Sequence, residues 1–92
     1  MKPPTAVIAE DEPHLREELR ESLVALWPQL EIVGEAENGI EALRLLNSAS
    51  PDILFLDIQM PDINGIEFSR IINKKNTAVV FTTAFSEYAV EG

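Results

Sequence analysis

Glu10 and Asp11 directly follow the apolar run Ala6-Val7-Ile8-Ala9, Asp57 follows Ile53-Leu54-Phe55-Leu56, and Thr82 and Thr83 follow Ala78-Val79-Val80-Phe81. Carboxylates gathered at one point raise one another's energy by like-charge repulsion, and a hard cation relieves it. Mg2+ suits such a set, because it takes one or two carboxylates and keeps waters and phosphate oxygens for its other positions. A carboxylate can also attack phosphorus and form an aspartyl-phosphate. A hydroxyl beside it can donate to the incoming phosphoryl oxygens. Taken singly, each acid is better explained as a loop residue or a helix cap. The chemistry therefore depends on whether the chain carries all three groups to one rim.

The elements that would do so are legible as an alternation. Residues 6–9 are short, apolar and end on acids, as a buried strand does. Pro13 suits a first helical position, where its missing N–H costs nothing. Leu15, Leu19, Leu23 and Leu26 then recur at helical spacing among Glu17, Glu18, Arg20 and Glu21, and Trp27-Pro28 ends that helix. Ile32 and Val33 lie in a second strand. Asn38 can cap a second helix with Ile40, Leu43 and Leu46 on one face, broken by residues 48–51. Residues 53–56 are apolar throughout, which implies a strand covered on both faces, as in a parallel sheet. A loop with Pro61, Asn64 and Gly65 leads to a third helix carrying Ile66, Phe68, Ile71 and Ile72. That helix ends near Lys74 and Lys75. Residues 78–81 form a fourth strand, and Ser86 to Val90 begin another helix. Four such units imply a doubly wound parallel α/β sheet with right-handed crossovers. Ligands of such sheets bind beyond the carboxyl ends of the strands, which is where the acids and threonines fall. The convergence leaves open which acid would carry a phosphoryl group.

The 92 residues, 46% hydrophobic and 25% charged, predict one small globular domain over 1–92 and argue against disorder. The absence of cysteine excludes a disulfide scaffold, a thiolate zinc site and a cysteine nucleophile. A net charge of -9 argues against direct binding of phosphate backbones by this chain and otherwise serves solubility. No apolar run approaches the roughly 20 residues of a membrane helix. Met1-Lys2-Pro3-Pro4 is not the start of a signal peptide. A soluble cytoplasmic protein is expected.

Ile8-Ala9-Glu10-Asp11-Glu12-Pro13, then Phe55-Leu56-Asp57-Ile58-Gln59-Met60-Pro61 with Asn64-Gly65, then Phe81-Thr82-Thr83-Ala84 match one family in type, order and spacing. Over its whole length the chain resembles the receiver domain of bacterial two-component response regulators. Leu56 to Pro61, and Thr83-Ala84-Phe85 through Glu87-Tyr88-Ala89, look most like receivers that precede LytTR-type DNA-binding domains.

The resemblance implies a flavodoxin-like sheet of order 2-1-3-4, with the fifth βα unit missing. It implies that Asp57 is the phosphoacceptor, that Asp11 is the principal Mg2+ ligand, and that Glu10, more often Asp in the family, assists partly through water. Gln59 would offer its backbone carbonyl to the metal, and Pro61 and Gly65 would shape the loop. Side chains alternate along a strand, so only one of Thr82 and Thr83 should face the rim. The family pattern selects Thr83 as the switch hydroxyl and leaves Thr82 to packing.

The implied function is a phosphoacceptor switch, not a turnover enzyme. It is loaded by a sensor histidine kinase and acts through an output domain, of DNA-binding type, that these residues do not include. One alternative is a receiver-like scaffold that is never phosphorylated. Another is a Mg-dependent phosphohydrolase with an aspartate nucleophile, disfavoured because Gln59 stands where its general acid would be. The fifth unit of the family supplies a lysine for the phosphoryl group. Lys74 and Lys75 precede strand four at the opposite end of the sheet and cannot replace it. The chain is expected to be a fragment or part of a longer protein, and to self-associate through receiver surfaces or the edge of strand four. His14, Glu12 and Asp62 are read as surface residues, and Trp27 as core or rim packing. Asp62-Ile63-Asn64-Gly65 has only part of a calcium-loop pattern.

Overall fold

The computed structural model describes residues 2–57, 60, 70 and 76–82. The strands and helices follow the alternation of the sequence: β1 Thr5–Ala9, α1 Pro13–Leu26, β2 Glu31–Ala36, α2 Gly39–Ala49, β3 Ile53–Asp57 and β4 Ala78–Thr82. The four strands are parallel in the order β2-β1-β3-β4, the expected order. The third helix, the helix begun at Ser86, and the lysines Lys74 and Lys75 lie outside the described residues.

Two apolar layers sandwich the sheet, because alternate residues of β1 and β3 point to opposite faces. On one face Val7, Ala9, Leu54 and Leu56 meet Ala42 and Leu46 of α2, with Ala36, Met60 and Val79. On the other, Ala6, Ile8, Phe55 and Leu30 meet Leu19 and Leu23 of α1. Each of the two described helices thus covers its own face, as a doubly wound sheet requires.

Pro13 opens α1, and the Trp27 N–H closes it on the Leu23 carbonyl. Asn38 caps α2 as its side-chain oxygen accepts from Glu41 N–H at 2.8 Å. The apolar stripes are narrower than their spacing suggests. Leu26 is 84% exposed and Ile40 65% exposed, whereas Gly39, Ala42 and Leu46 are the buried residues of α2. Leu26 sits at the last turn, beyond the reach of the sheet. Ile40 sits one position from Gly39, about 100° around the helix. Trp27, at 37% exposure, is a rim residue.

The register is set at the amino ends of the strands. Thr5 N–H donates to Asp52 Oδ2 at 2.9 Å, and Asp52 N–H donates back to the Thr5 carbonyl at 3.0 Å. Ala78 N–H reaches the Asp52 carbonyl at 2.9 Å, and the Thr77 hydroxyl reaches the Pro51 carbonyl at 2.9 Å. Asp52 therefore ties β1 and β4 to the start of β3. Five residues later this alignment sets Asp57 beside Thr82. Among the described residues no helix is long and apolar enough to cross a membrane.

Candidate metal and phosphoacceptor site

β1 and β3 are neighbours, paired through Ala9 and Leu56, so Glu10 and Asp57 emerge side by side at the carboxyl end of the sheet. Glu10 N–H donates to the Ala36 carbonyl at 2.9 Å, which carries the bonding to β2 one step past the end of β1. Met60 N–H stands 3.5 Å from the Asp57 carbonyl, and the buried Met60 side chain anchors the chain just after β3. Asp11 follows on the exposed lip. One carboxylate oxygen each from Glu10, Asp11 and Asp57 lies within 4.8 Å of the others.

Glu10 and Asp57 are 6% and 5% exposed. Burial disfavours the charged form of Glu10, and hydrogen bonding to Asp57 and Asp11 together with the charge of Asp57 adds to it. The Glu12 N–H, donating to Glu10 Oε2 at 3.1 Å, works the other way. The balance lifts Glu10 to about 7. Without a cation the cluster thus holds a proton near neutrality that ordinary carboxylates would have lost. Three crowded oxygen donors, two of them desolvated, fit a hard divalent cation.

Of the residues singled out in the sequence, Glu10, Asp11 and Asp57 are brought together. Gln59, Thr83, Pro61 and Gly65 lie outside the described residues. His14 is exposed and stands 3.7 Å from Glu12, the surface role expected of it. Thr82, assigned to packing, has a buried hydroxyl oxygen with no hydrogen-bond partner.

Sequence reasoning also passed over Arg16. Its Nη1 donates to the Glu10 backbone carbonyl at 2.8 Å, and its Nε lies 3.5 Å from Glu35 Oε1 on β2. Arg20, one turn on, meets the other oxygen of Glu35 at 3.5 Å. The four-residue spacing of the two arginines puts them on one helix face, but the carboxylate they share comes from another strand.

The family model for the response regulator receiver domain matches residues 6–92. An uncharacterized response regulatory protein of Vibrio cholerae is 52% identical over 88 residues, covering 94% of this chain and 34% of the relative. The transcriptional regulatory protein BtsR of Salmonella typhi is 44% identical over 86 residues, covering 92% of this chain and 36% of the relative. The chain thus spans about a third of the length of these curated relatives. Among solved structures, the REC domain of AraT, a response regulator from Geobacillus stearothermophilus, superposes with a TM-score of 0.78 at 32% identity, over 97% of this chain and 70% of that one. The crystal structure of the P1 domain of CheA3 in complex with CheY6 from R. sphaeroides matches with a TM-score of 0.78 at 27% identity, again over 97% and 70%. The order of the strands, the acids at their carboxyl ends and the family match over nearly the whole length agree, and this chain belongs to the response regulator receiver domains of two-component systems.

Proposed function

We propose that this domain accepts a phosphoryl group on Asp57 from the phosphohistidine of a sensor histidine kinase, with Mg2+ held by Glu10, Asp11 and Asp57 and the backbone carbonyl of Gln59. The observation that carries this reading is the convergence of three carboxylate oxygens within 4.8 Å at the ends of β1 and β3. A carboxylate oxygen of Asp57 forms a bond to phosphorus as the nitrogen–phosphorus bond of the donor breaks. The imidazole leaves with the electron pair and is reprotonated. Asp57 ends a strand that is buried along its last four residues, which fixes the backbone from which the nucleophile attacks. Glu10 must give up its proton for the site to open to a cation. Bound Mg2+ would neutralise charge on the phosphoryl oxygens.

In this reading the domain is a stoichiometric acceptor, and Thr83 is the hydroxyl that moves toward the phosphoryl group. The kinase partner is supported by the CheA3 complex among the matching structures. A transcriptional output, of the LytTR kind that the sequence resembles, is supported by the name of the BtsR relatives. Such signalling takes place in the cytoplasm. Incubation with a small-molecule phosphodonor tests the reading. Acid-labile label should appear on the wild-type chain only with Mg2+ and vanish in Asp57→Asn. Undiminished label in Asp57→Asn would overturn it.

A further inference from the structure

Among the described residues, Thr82 is the one with a buried side-chain polar atom, its hydroxyl oxygen, left without a hydrogen-bond partner. Leaving such a group unpaired costs about 1–3 kcal/mol, so a strand position that merely needs packing is better served by valine, which has the same shape. The position is not arbitrary. β3 and β4 are parallel, and Asp57 pairs with Thr82 in register. Partner residues on adjacent parallel strands lie about 4.8 Å apart and direct their side chains to the same face. The unused hydroxyl therefore stands one strand away from the acceptor carboxylate, on its side of the sheet. The register is itself held by Asp52 and Ala78 at the far end of both strands.

We propose that the Thr82 hydroxyl is a second donor of the phosphoacceptor site, unpaired at rest and hydrogen-bonded to an oxygen of the group carried by Asp57 once that residue is modified. The proposal rests on Asp57 being the acceptor. A donor without a partner in the resting state and with one in the modified state contributes to the difference between them. Such a contact biases a two-state equilibrium, whereas one made equally in both does not. The residue is distinct from Thr83, the next in the sequence.

The test uses beryllofluoride, which adds to a carboxylate as a tetrahedral stand-in for the phosphoryl group, in the presence of Mg2+. Thermal melts are followed for wild type, Thr82→Val and Thr82→Ser. Thr82→Val should melt at the same or a higher temperature than wild type without beryllofluoride, because a buried unpaired hydroxyl has been removed. Its apparent affinity for beryllofluoride should fall about ten- to a hundredfold, the value of one hydrogen bond to a charged group. Thr82→Ser keeps the hydroxyl and should keep the affinity. Equal affinity in wild type and Thr82→Val overturns the proposal, as does a loss in Thr82→Ser as large as in Thr82→Val, which would mean that shape and not the hydroxyl matters. A wild type that shows no response, or responds equally after Asp57→Asn, refutes the acceptor reading and this proposal with it.

Discussion

Arg16 is joined to Glu10 through the main chain: its Nη1 donates to the Glu10 carbonyl at 2.8 Å while its Nε faces Glu35 across a 3.5 Å gap. The Arg16 side chain is only 19% exposed, and its guanidinium braces helix α1, the lip of β1 and strand β2. Arg16→Met keeps the apolar stem and removes the fork. It should lower stability by about 1.5–3 kcal/mol, the value of a hydrogen bond to a charged group, and weaken Mg2+ binding several-fold by loosening the lip that carries Asp11. Arg16→Lys should restore little, since an ammonium cannot make both contacts with one planar group. Calorimetric Mg2+ titrations beside denaturant melts check this. Unchanged Mg2+ affinity in Arg16→Met would show that the brace is structural only.

The elevated pKa of Glu10 makes stability depend on pH in an unusual direction. In the unfolded chain this carboxyl titrates near 4.5, and in the folded one at about 7. Between these values the native state binds the extra proton, so the metal-free domain loses stability as pH rises from 4.5 to 7 and does not regain it above. The size is roughly 3 kcal/mol at 1.36 kcal/mol for each unit. Wild-type stability measured relative to Glu10→Gln should fall by that order across the window. Mg2+ binding should weaken below pH 7, because the proton competes with the cation. A difference between the two proteins that stays flat from pH 4.5 to 7 would remove Glu10 from this role.

Asp11 contributes repulsion without the cation and attraction with it. Asp11→Ala should therefore melt a few degrees higher than wild type in chelator. It should also lose most of the stabilisation by Mg2+, which for wild type reaches about 2.7 kcal/mol at a hundred times the dissociation constant. Equal Mg2+ shifts in the two proteins would dismiss Asp11 as a ligand.

Helix α2 can be tuned at both ends without touching the site. Asn38→Ala removes the acceptor for Glu41 N–H and should cost about 1 kcal/mol, or roughly 4–8 °C in melting temperature. Ser50 closes the helix in the left-handed region, at φ 44° and ψ 58°. Ser50→Gly should gain up to about 1 kcal/mol, since glycine adopts that conformation without a Cβ penalty. Both variants should bind Mg2+ as wild type does.

Local chemistry was enough to read the elements and the acids at their ends. Four uninterrupted apolar residues before Asp57 mean a strand covered on both sides, because no alternation is left for solvent. Pro13 and Asn38 mark helix starts through groups within one turn of themselves. Strand order and the acidic rim followed from the βα alternation together with the family motifs. The rest depended on partners far away in the chain. Whether Ile40 or Ala42 faces the sheet is decided by how α2 lies on it, which helical spacing alone cannot orient. That Arg16 reaches the Glu10 carbonyl and Glu35 depends on β2 lying beside β1. That Thr82 stands beside Asp57 with its hydroxyl unpaired depends on Asp52, which aligns β3 with β4 from the opposite end of the sheet. A residue's type states what bond it can make, and only the packed sheet decides which bond is left open.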